Sequence, residues 1–199
     1  MKKIIKAVIP IRAGSQRVKN KNLREFNKKN LLIYKIEKLK KVKGLDDIIV
    51  NTDSDEAIEI AKKYKVSFWK RDGYYASADC LNSDFWQHIA DTTESDHIMF
   101  TNSTNPLVKL ETYNSIIAKY NSMENNHDSL NTVSDEKHFL YLKNKPINFD
   151  PKVAPNSQNL PEIIKLNFAI NLTGMIATYM SLKWTNFSQT IFSPSLNKV

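Results

Sequence analysis

The feature that most restricts the fold of this chain is its first apolar run, residues 4–11, which is rich in isoleucine and ends in a polar loop with a glycine. A short β-branched run bounded by turn residues predicts a buried strand that leads into a loop. Short apolar runs then alternate with segments whose apolar residues have helical spacing. Because a helix that connects neighbouring strands makes them parallel, the pattern predicts an α/β fold with a mostly parallel sheet.

The predicted elements follow one another in a regular order. Asn30 and Ser54 are suited to begin helices, because their side chains accept hydrogen bonds from free backbone N–H groups. The predicted helices lie after residue 30 and over residues 55–64, 83–90 and 110–120, and the further strands lie at residues 48–50, 66–69, 97–100, 129–133 and 168–177. Residues 143–161 lose this periodicity. We therefore predict a single domain over residues 1–199 with a small insertion at about residues 138–166.

Composition limits the class of protein. Hydrophobic residues make up 41% and charged residues 25% of the 199 residues, as is typical of one folded domain. Cys80 is the only cysteine and cannot form an internal disulfide, the start of the sequence has no signal-peptide pattern, and no apolar run is long enough to span a bilayer. These observations predict a cytoplasmic protein without a membrane partner.

The formal net charge of +8 has two interpretations. A basic face can neutralise the phosphates of a nucleic acid, and clustered cations can also bind an anionic small substrate. Most lysines, such as Lys35 and Lys38, are scattered over presumptive helix faces, as solvated surface charges are. The sequence contains no recognisable nucleic-acid reading motif. Binding to nucleic acid is therefore the weakest of the functional hypotheses.

The loop from Arg12 to Asn22 combines a glycine, a hydroxyl and four cations directly after the first strand. In open α/β sheets, ligands bind at the carboxyl ends of strands, where small residues let backbone N–H groups approach phosphates. The loop has neither the Gly-Lys-Ser/Thr ending of a P-loop nor the three glycines of a dinucleotide fingerprint. It predicts a site for a nucleoside triphosphate of a different kind.

This loop resembles the Arg-x-Gly-Ser-x-Arg signature, followed by Lys-Asn, of the acylneuraminate (CMP-sialic acid) cytidylyltransferases. The residues in register are Arg12, Gly14, Ser15, Arg17, Lys21 and Asn22. Weaker similarity continues through residues 50–53, 102–107 and 158–161. The resemblance implies a three-layer fold of the nucleotide-diphospho-sugar transferase (Rossmann-like) type, and a homodimer in which the insertion is a dimerisation arm.

The resemblance also implies a reaction in which the anomeric hydroxyl of a 2-keto sugar acid attacks the α-phosphorus of CTP and releases pyrophosphate, with Mg²⁺ as cofactor. Such a site needs positive charge and positioning rather than a protein nucleophile. We assign Arg12 and Lys21 to clamp the triphosphate. The resemblance assigns nucleotide binding to Ala13, Gly14, Ser15, Asn22, Arg71 and Asn82, and sugar binding to Asn102 and Asn167.

The chain departs from the family pattern at several positions. Asn102 stands where the family has glutamine, and Phe168 and Asn171 replace a glycine and a tyrosine. The family also carries a late Asp-x-Asp pair that holds Mg²⁺, and this sequence contains no such pair after Asn167. The metal ligands are left unassigned: either the triphosphate holds the ion mainly by itself together with a carboxylate such as Asp53 or Asp79, or the protein is impaired. A second hypothesis is a shortened, non-catalytic relative that binds nucleotide.

Overall fold

A computed structural model describes residues 3–14, 18–123, 127–153 and 155–174, together with the backbone of residues 190–193. The helices are α1 (Leu31–Leu39), α2 (Asp55–Lys63), α3 (Asn82–Thr92) and α4 (Leu110–Asn121). The strands are β1 (Ile5–Ile11), β2 (Asp47–Thr52), β3 (Ser67–Lys70), β4 (His97–Phe100), β5 (Ser129–Asp135), β6 (Tyr141–Leu142), β7 (Lys145–Pro146), β8 (Ile164–Gly174) and β9 (Thr190–Ser193). Single 3-10 turns lie at Tyr74–Ala76 and Ser157–Asn159.

Seven strands form one sheet in the order β3-β2-β1-β4-β8-β5-β9, and β6 and β7 form a separate hairpin. Within the described chain, β8 pairs antiparallel with both β4 and β5, and every other pairing in the large sheet is parallel. The mostly parallel α/β sheet predicted from the alternating pattern is confirmed. Its four parallel strands β3, β2, β1 and β4 bring the loops that follow them to one edge.

The sheet is covered on both faces. Alternate residues of β1 point to opposite sides, so that Ile9 packs with α1, α2 and α4, whereas Val8 packs with Ile89 of α3. All of these side chains are fully buried. The predicted three layers are therefore confirmed, with α3 alone on its side among the described helices.

Two helices begin as predicted. The Asn30 side chain accepts a hydrogen bond from the Ile33 N–H at 2.9 Å, and Ser54 Oγ accepts one from the Ala57 N–H at 3.3 Å. Each such cap stabilises its helix by about 1 kcal/mol. Asn30 and Ser54 follow the segments that come after β1 and β2. The two caps therefore fix where α1 and α2 begin at this edge of the sheet.

The last long strand differs from its predicted range. Strand β8 covers Ile164–Gly174, whereas residues 168–177 were predicted, and residues 175–177 lie outside the described part. The early part of β8, residues 164–168, is partly exposed and alternates apolar with polar side chains, and Lys165 pairs there with Ser134 of β5. The register with β5 shifts between Asn131 and Val133, which marks a bulge. The predicted start at residue 168 followed the continuous apolar run and missed this alternating segment.

One expectation about charge is wrong. Lys35 was placed among solvated surface lysines, but its side chain is buried at 1% exposure. It lies three residues after Leu32 and four before Leu39, on the stripe of α1 that faces the core. The spacing of the helix places Lys35 on its buried face. Burial of the ammonium group is possible because three hydrogen-bond acceptors surround it.

Candidate active site

A cleft of about 490 Å³ opens where β1 and β4 end. Its lining comes from the loops after β1, β3 and β4 and from the start of α3. The lining residues are Pro10, Arg12, Lys21, Asn22, Arg71, Tyr75, Ser77, Cys80, Asn82, Phe85, Phe100, Asn102, Ser103 and Thr104. This is the edge of the sheet at which the sequence predicted a nucleotide.

Among the described residues, the lining carries three cations, Arg12, Lys21 and Arg71, and contains no carboxylate. The Arg12 guanidinium makes one long hydrogen bond to the Ser77 carbonyl, at 3.4 Å. Because cations that line a concave site attract anions strongly, the cleft suits a phosphate ligand. Both residues predicted to clamp a triphosphate thus lie at the cleft.

Arg71 joins the cleft to the sheet. Its side chain is 5% exposed, its Nη2 donates to the Ile11 carbonyl at 2.5 Å, and its guanidinium lies 5.2 Å from the ring centre of Phe85. Its Nε has no hydrogen-bond partner among the described residues. Burial lowers the pKa of the Arg71 guanidinium, and Asp53, 3.9 Å away, opposes that shift. The residue therefore supports the end of β1 while presenting a cation to the cleft.

The turn after β1 is held by a carboxylate. Asp53 Oδ1 accepts a hydrogen bond from the Ala13 N–H at 3.0 Å, which ties this turn to the end of β2. Ala13 and Gly14 border the cleft without lining it, and a Cβ at Gly14 would meet no atom within 4 Å. Ser15 lies outside the described residues. The assignment of these three to nucleotide binding stays a prediction.

Asn22 links three elements. Its side-chain oxygen accepts a hydrogen bond from Ser103 Oγ at 2.9 Å, and its carbonyl accepts one from the Leu32 N–H at 3.2 Å. Both Asn22 and Ser103 are buried. The loop of residues 12–22, here called the cation loop, is therefore joined to α1 and to the loop after β4 at one point of the cleft wall. Sequence reasoning missed Ser103, because nothing local indicates a partner 81 positions earlier.

Asn82 is the first residue of α3 and lines the cleft as predicted for a nucleotide contact. Cys80 lies beside it, and burial raises the pKa of its thiol. A thiol with a raised pKa is a poor nucleophile. This part of the cleft thus offers hydrogen-bonding groups for a ligand and no activated nucleophile within its described lining.

The two predicted sugar contacts lie in different settings. Asn102 lines the cleft, and its Nδ2 donates to the Phe168 carbonyl at 3.2 Å. Asn167 does not line it: its Oδ1 accepts from Thr132 Oγ1 at 2.6 Å and its Nδ2 donates to Ser134 Oγ at 3.1 Å. Asn167 therefore stabilises the bulge between β5 and β8. Its proposed sugar contact stays a prediction.

Aromatic side chains form part of the wall, which sequence reasoning missed. Tyr75 stacks on His88 with ring centres 4.2 Å apart, and Phe85 meets Phe100 edge to face at 6.2 Å. The His88 ring in turn contacts the Asn51 side chain at 3.3 Å. In sequence, aromatic residues at such positions indicate core packing, and only their placement at the ends of β4 and α3 brings them to a ligand site.

Acidic and metal-binding side chains are dispersed in the part of the chain that the structure describes. This part contains no group of three or more His, Cys, Asp or Glu placed to hold a metal ion. Asp53 already accepts the Ala13 N–H, and the other predicted carboxylate, Asp79, is exposed and does not line the cleft. Mg²⁺ prefers carboxylate oxygens, and the described residues do not gather a set of them at the cleft. Nor does any described helix have the length and apolar character needed to cross a bilayer.

Fold and cleft together define an α/β protein with a cationic cleft at the carboxyl edge of a mostly parallel sheet. Residues 6–152 match the family model described as Cytidylyltransferase, and the chain belongs to this family. The resemblance noted in the cation loop is thus confirmed.

Known proteins show the same relationship. The chain is 39% identical over 74 residues to the CMP-N,N'-diacetyllegionaminic acid synthase of Campylobacter jejuni serotype O:2, which covers 37% of this chain and 32% of that protein. It is 31% identical over 107 residues to the pseudaminic acid cytidylyltransferase of Campylobacter jejuni serotype O:23/36, covering 51% of this chain and 46% of that protein. The matches thus span between a third and a half of these relatives.

A solved structure shares the fold. The CMP:2-keto-3-deoxy-manno-octonic acid synthetase complexed with CTP superposes with a TM-score of 0.67 at 13% identity, covering 96% of this chain and 90% of that chain. At this identity the superposition shows the fold alone. The nucleotide-diphospho-sugar transferase type predicted from the sequence is therefore confirmed.

Proposed function

We propose that this protein transfers CMP from CTP to the anomeric hydroxyl of a 2-keto sugar acid and releases pyrophosphate. One observation carries the proposal: within the described ranges, the cleft of a cytidylyltransferase fold is lined by Arg12, Lys21 and Arg71 and by no carboxylate. These cations oppose most of the negative charge of a triphosphate, and their field is strongest in a concave, partly desolvated site.

The chemistry divides between these cations and the neighbouring polar groups. The sugar hydroxyl oxygen attacks the α-phosphorus while the bond to the bridging oxygen of pyrophosphate breaks, so negative charge grows on the phosphate oxygens. Arg12 offers a bidentate contact and Lys21 a point charge to stabilise that charge. Asn22 and Asn82 are placed to orient the nucleotide through amide hydrogen bonds.

The names of the relatives narrow the acceptor. One is a legionaminic acid synthase and another a pseudaminic acid cytidylyltransferase. We propose an acceptor of this class, a nonulosonic acid with a carboxylate beside its anomeric centre. Asn102, which lines the cleft in the loop after β4, is our candidate to hydrogen-bond it.

We further propose that the reaction requires Mg²⁺. Because the described residues form no carboxylate cluster, we expect the ion to arrive on the triphosphate of CTP. The same finding favours the second candidate function, a relative that binds nucleotide without turning it over. Chelation of Mg²⁺ distinguishes the two candidate functions. It abolishes pyrophosphate release by an enzyme, whereas a protein that only binds the nucleotide releases no pyrophosphate with or without Mg²⁺.

A homodimer in the cytoplasm completes the proposal. The insertion exposes a set of apolar side chains: Phe139, Tyr141, Leu142, Ile147 and Val153. Contiguous exposed apolar groups typically mark a protein interface. Sedimentation analysis should give twice the chain mass, and charged substitutions at Leu142 and Val153 should give the monomer.

The first experiment measures pyrophosphate release with Mg²⁺, a panel of nucleoside triphosphates and several nonulosonic acids. We expect release with CTP and one acid only. Release with other nucleotides to the same extent contradicts a cytidylyltransferase. No release across the panel, with CTP binding retained, supports the non-catalytic relative.

A further inference from the structure

Lys35 is a buried ammonium group with a complete set of acceptors. Its Nζ donates to Tyr113 OH at 2.5 Å, to Thr101 Oγ1 at 3.1 Å and to the Asn105 carbonyl at 3.3 Å. An ammonium group has three N–H donors, so all three are satisfied. Its nearest described contacts include no carboxylate, which is unusual for a lysine that is 1% exposed.

The acceptors place Lys35 beneath the cleft. Thr101 precedes and Asn105 follows the three cleft-lining residues Asn102–Thr104. The ammonium therefore holds both ends of the loop that forms this wall. Through Ser103, the same loop is bonded to Asn22 of the cation loop. Lys35 thus does not line the cleft itself, yet it supports the loop after β4 and, through Ser103, Asn22, both of which line it.

The charge on Lys35 is finely balanced. Burial, and to a smaller extent the positive charge of Lys38 on the same helix, lower the pKa of Lys35 to about 7. From α4 it faces Tyr113, whose pKa burial raises to about 12, so that this neighbour is neutral. Its contacts in the loop after β4, Thr101 and the Asn105 carbonyl, do not ionise. An anion bound in the cleft brings negative charge towards this ammonium group and so favours its protonated form.

We propose that Lys35 is a positioning residue, which as an ammonium ion fixes residues 101–105, and that binding of a nucleoside triphosphate in the cleft is coupled to its protonation. The inference rests on the proposed function, because the triphosphate supplies the negative charge. By linkage, a ligand that favours the protonated form binds more weakly wherever the free protein has lost that proton.

The direction of the pH effect follows. Below about pH 7, Lys35 is charged in both free and bound protein, and its protonation adds no pH dependence. Above that pH, binding takes up a proton, so the Kd for CTP rises by up to about tenfold per pH unit until pH passes the pKa of the complex. A lysine with a purely structural role takes up no proton on binding.

The experiment is titration calorimetry of CTP binding without acceptor, between pH 7 and 8.5, in two buffers of different ionisation enthalpy. In this range the terminal phosphate has lost its second proton, and the Cys80 thiol has not ionised because its pKa is raised above 9.0. We expect wild type to take up between about half and one proton above pH 7.5. Lys35→Met should take up none, and its Kd should not change with pH.

Lys40→Met is the matched control, because Lys40 lies at the end of the same helix and is exposed, with its Nζ directed to the Tyr64 carbonyl. It should behave as wild type. Tyr113→Phe tests the inference without touching the lysine, since loss of an acceptor lowers the pKa of Lys35 and moves the onset of the pH effect to lower pH. This variant decides the question if Lys35→Met does not fold.

An unchanged pH dependence in Lys35→Met, or an unchanged onset in Tyr113→Phe, overturns the inference. Wild-type protein that binds CTP with no proton uptake also overturns it while leaving the proposed function intact. Absence of CTP binding at every pH is a different result, because it contradicts the proposed function itself.

Discussion

The cleft has two walls of opposite character. The cation wall, formed by Arg12, Lys21 and Arg71, carries three positive charges, whereas the amide wall, formed by Asn102–Thr104, is neutral. Coulomb attraction acts over several ångströms and tolerates small displacements, but a hydrogen bond between neutral groups requires close alignment. Loss of a cation should therefore reduce catalysis greatly, and loss of an amide should change selectivity modestly.

The largest effect expected is for Lys21→Ala. Removal of a charge that stabilises the growing negative charge on the phosphates should lower kcat/KM for pyrophosphate release by about 10²–10³-fold. Lys63→Ala is the matched control, because Lys63 is exposed on α2 and does not line the cleft. Equal losses in the two variants indicate that only net charge matters and contradict a specific role for the cation wall.

Arg71 should show that one cation also supports the fold. Arg71→Lys keeps a positive charge but loses the bond to the Ile11 carbonyl, so the free energy of unfolding should fall by about 1–3 kcal/mol. Arg12→Lys, at a half-buried residue with one long hydrogen bond, should change stability by less than about 0.5 kcal/mol. Urea unfolding of the two variants measures both values. Similar values for the pair show that Arg71 has no structural role.

The cation wall could be predicted from sequence because its residues are local. Arg12 and Lys21 follow β1 within ten positions, and the strand pattern places that segment at the ligand edge of the sheet. The setting of Asn167 could not be predicted in this way. The resemblance assigns it to sugar binding, whereas in the structure its side chain is bonded to Thr132 and Ser134 at a bulge in the β5–β8 pairing.

Lys35 shows the same limit of sequence interpretation. Its position on α1 lies on the apolar stripe, and helical spacing therefore predicts burial. Lysine is so often solvated, however, that we expected it at the surface. The acceptors that permit its burial come from Thr101, Asn105 and Tyr113, which are 66, 70 and 78 positions away. Contacts of such separation leave no mark in a local pattern.

For the amide wall, Asn102→Ala should raise the KM for the acceptor by about five- to tenfold, as expected for one hydrogen bond of about 1 kcal/mol. The KM for CTP should change little, because the cations remain. Asn102→Gln keeps the amide group and should retain more affinity for the acceptor than Asn102→Ala. Steady-state kinetics with each substrate varied in turn gives both constants. A larger change for CTP than for the acceptor indicates that this wall contacts the nucleotide.

The smallest effect concerns Phe168, whose carbonyl accepts the Asn102 bond. Its φ of 51° lies in the left-handed region, which is unfavourable for a residue with a Cβ. Phe168→Gly should therefore be more stable than Phe168→Ala by about 1 kcal/mol, measured by urea unfolding. Both variants lose the same ring, so their difference reports the backbone alone. If they are equally stable, the left-handed turn does not cause strain, and the amide wall is held by hydrogen bonds only.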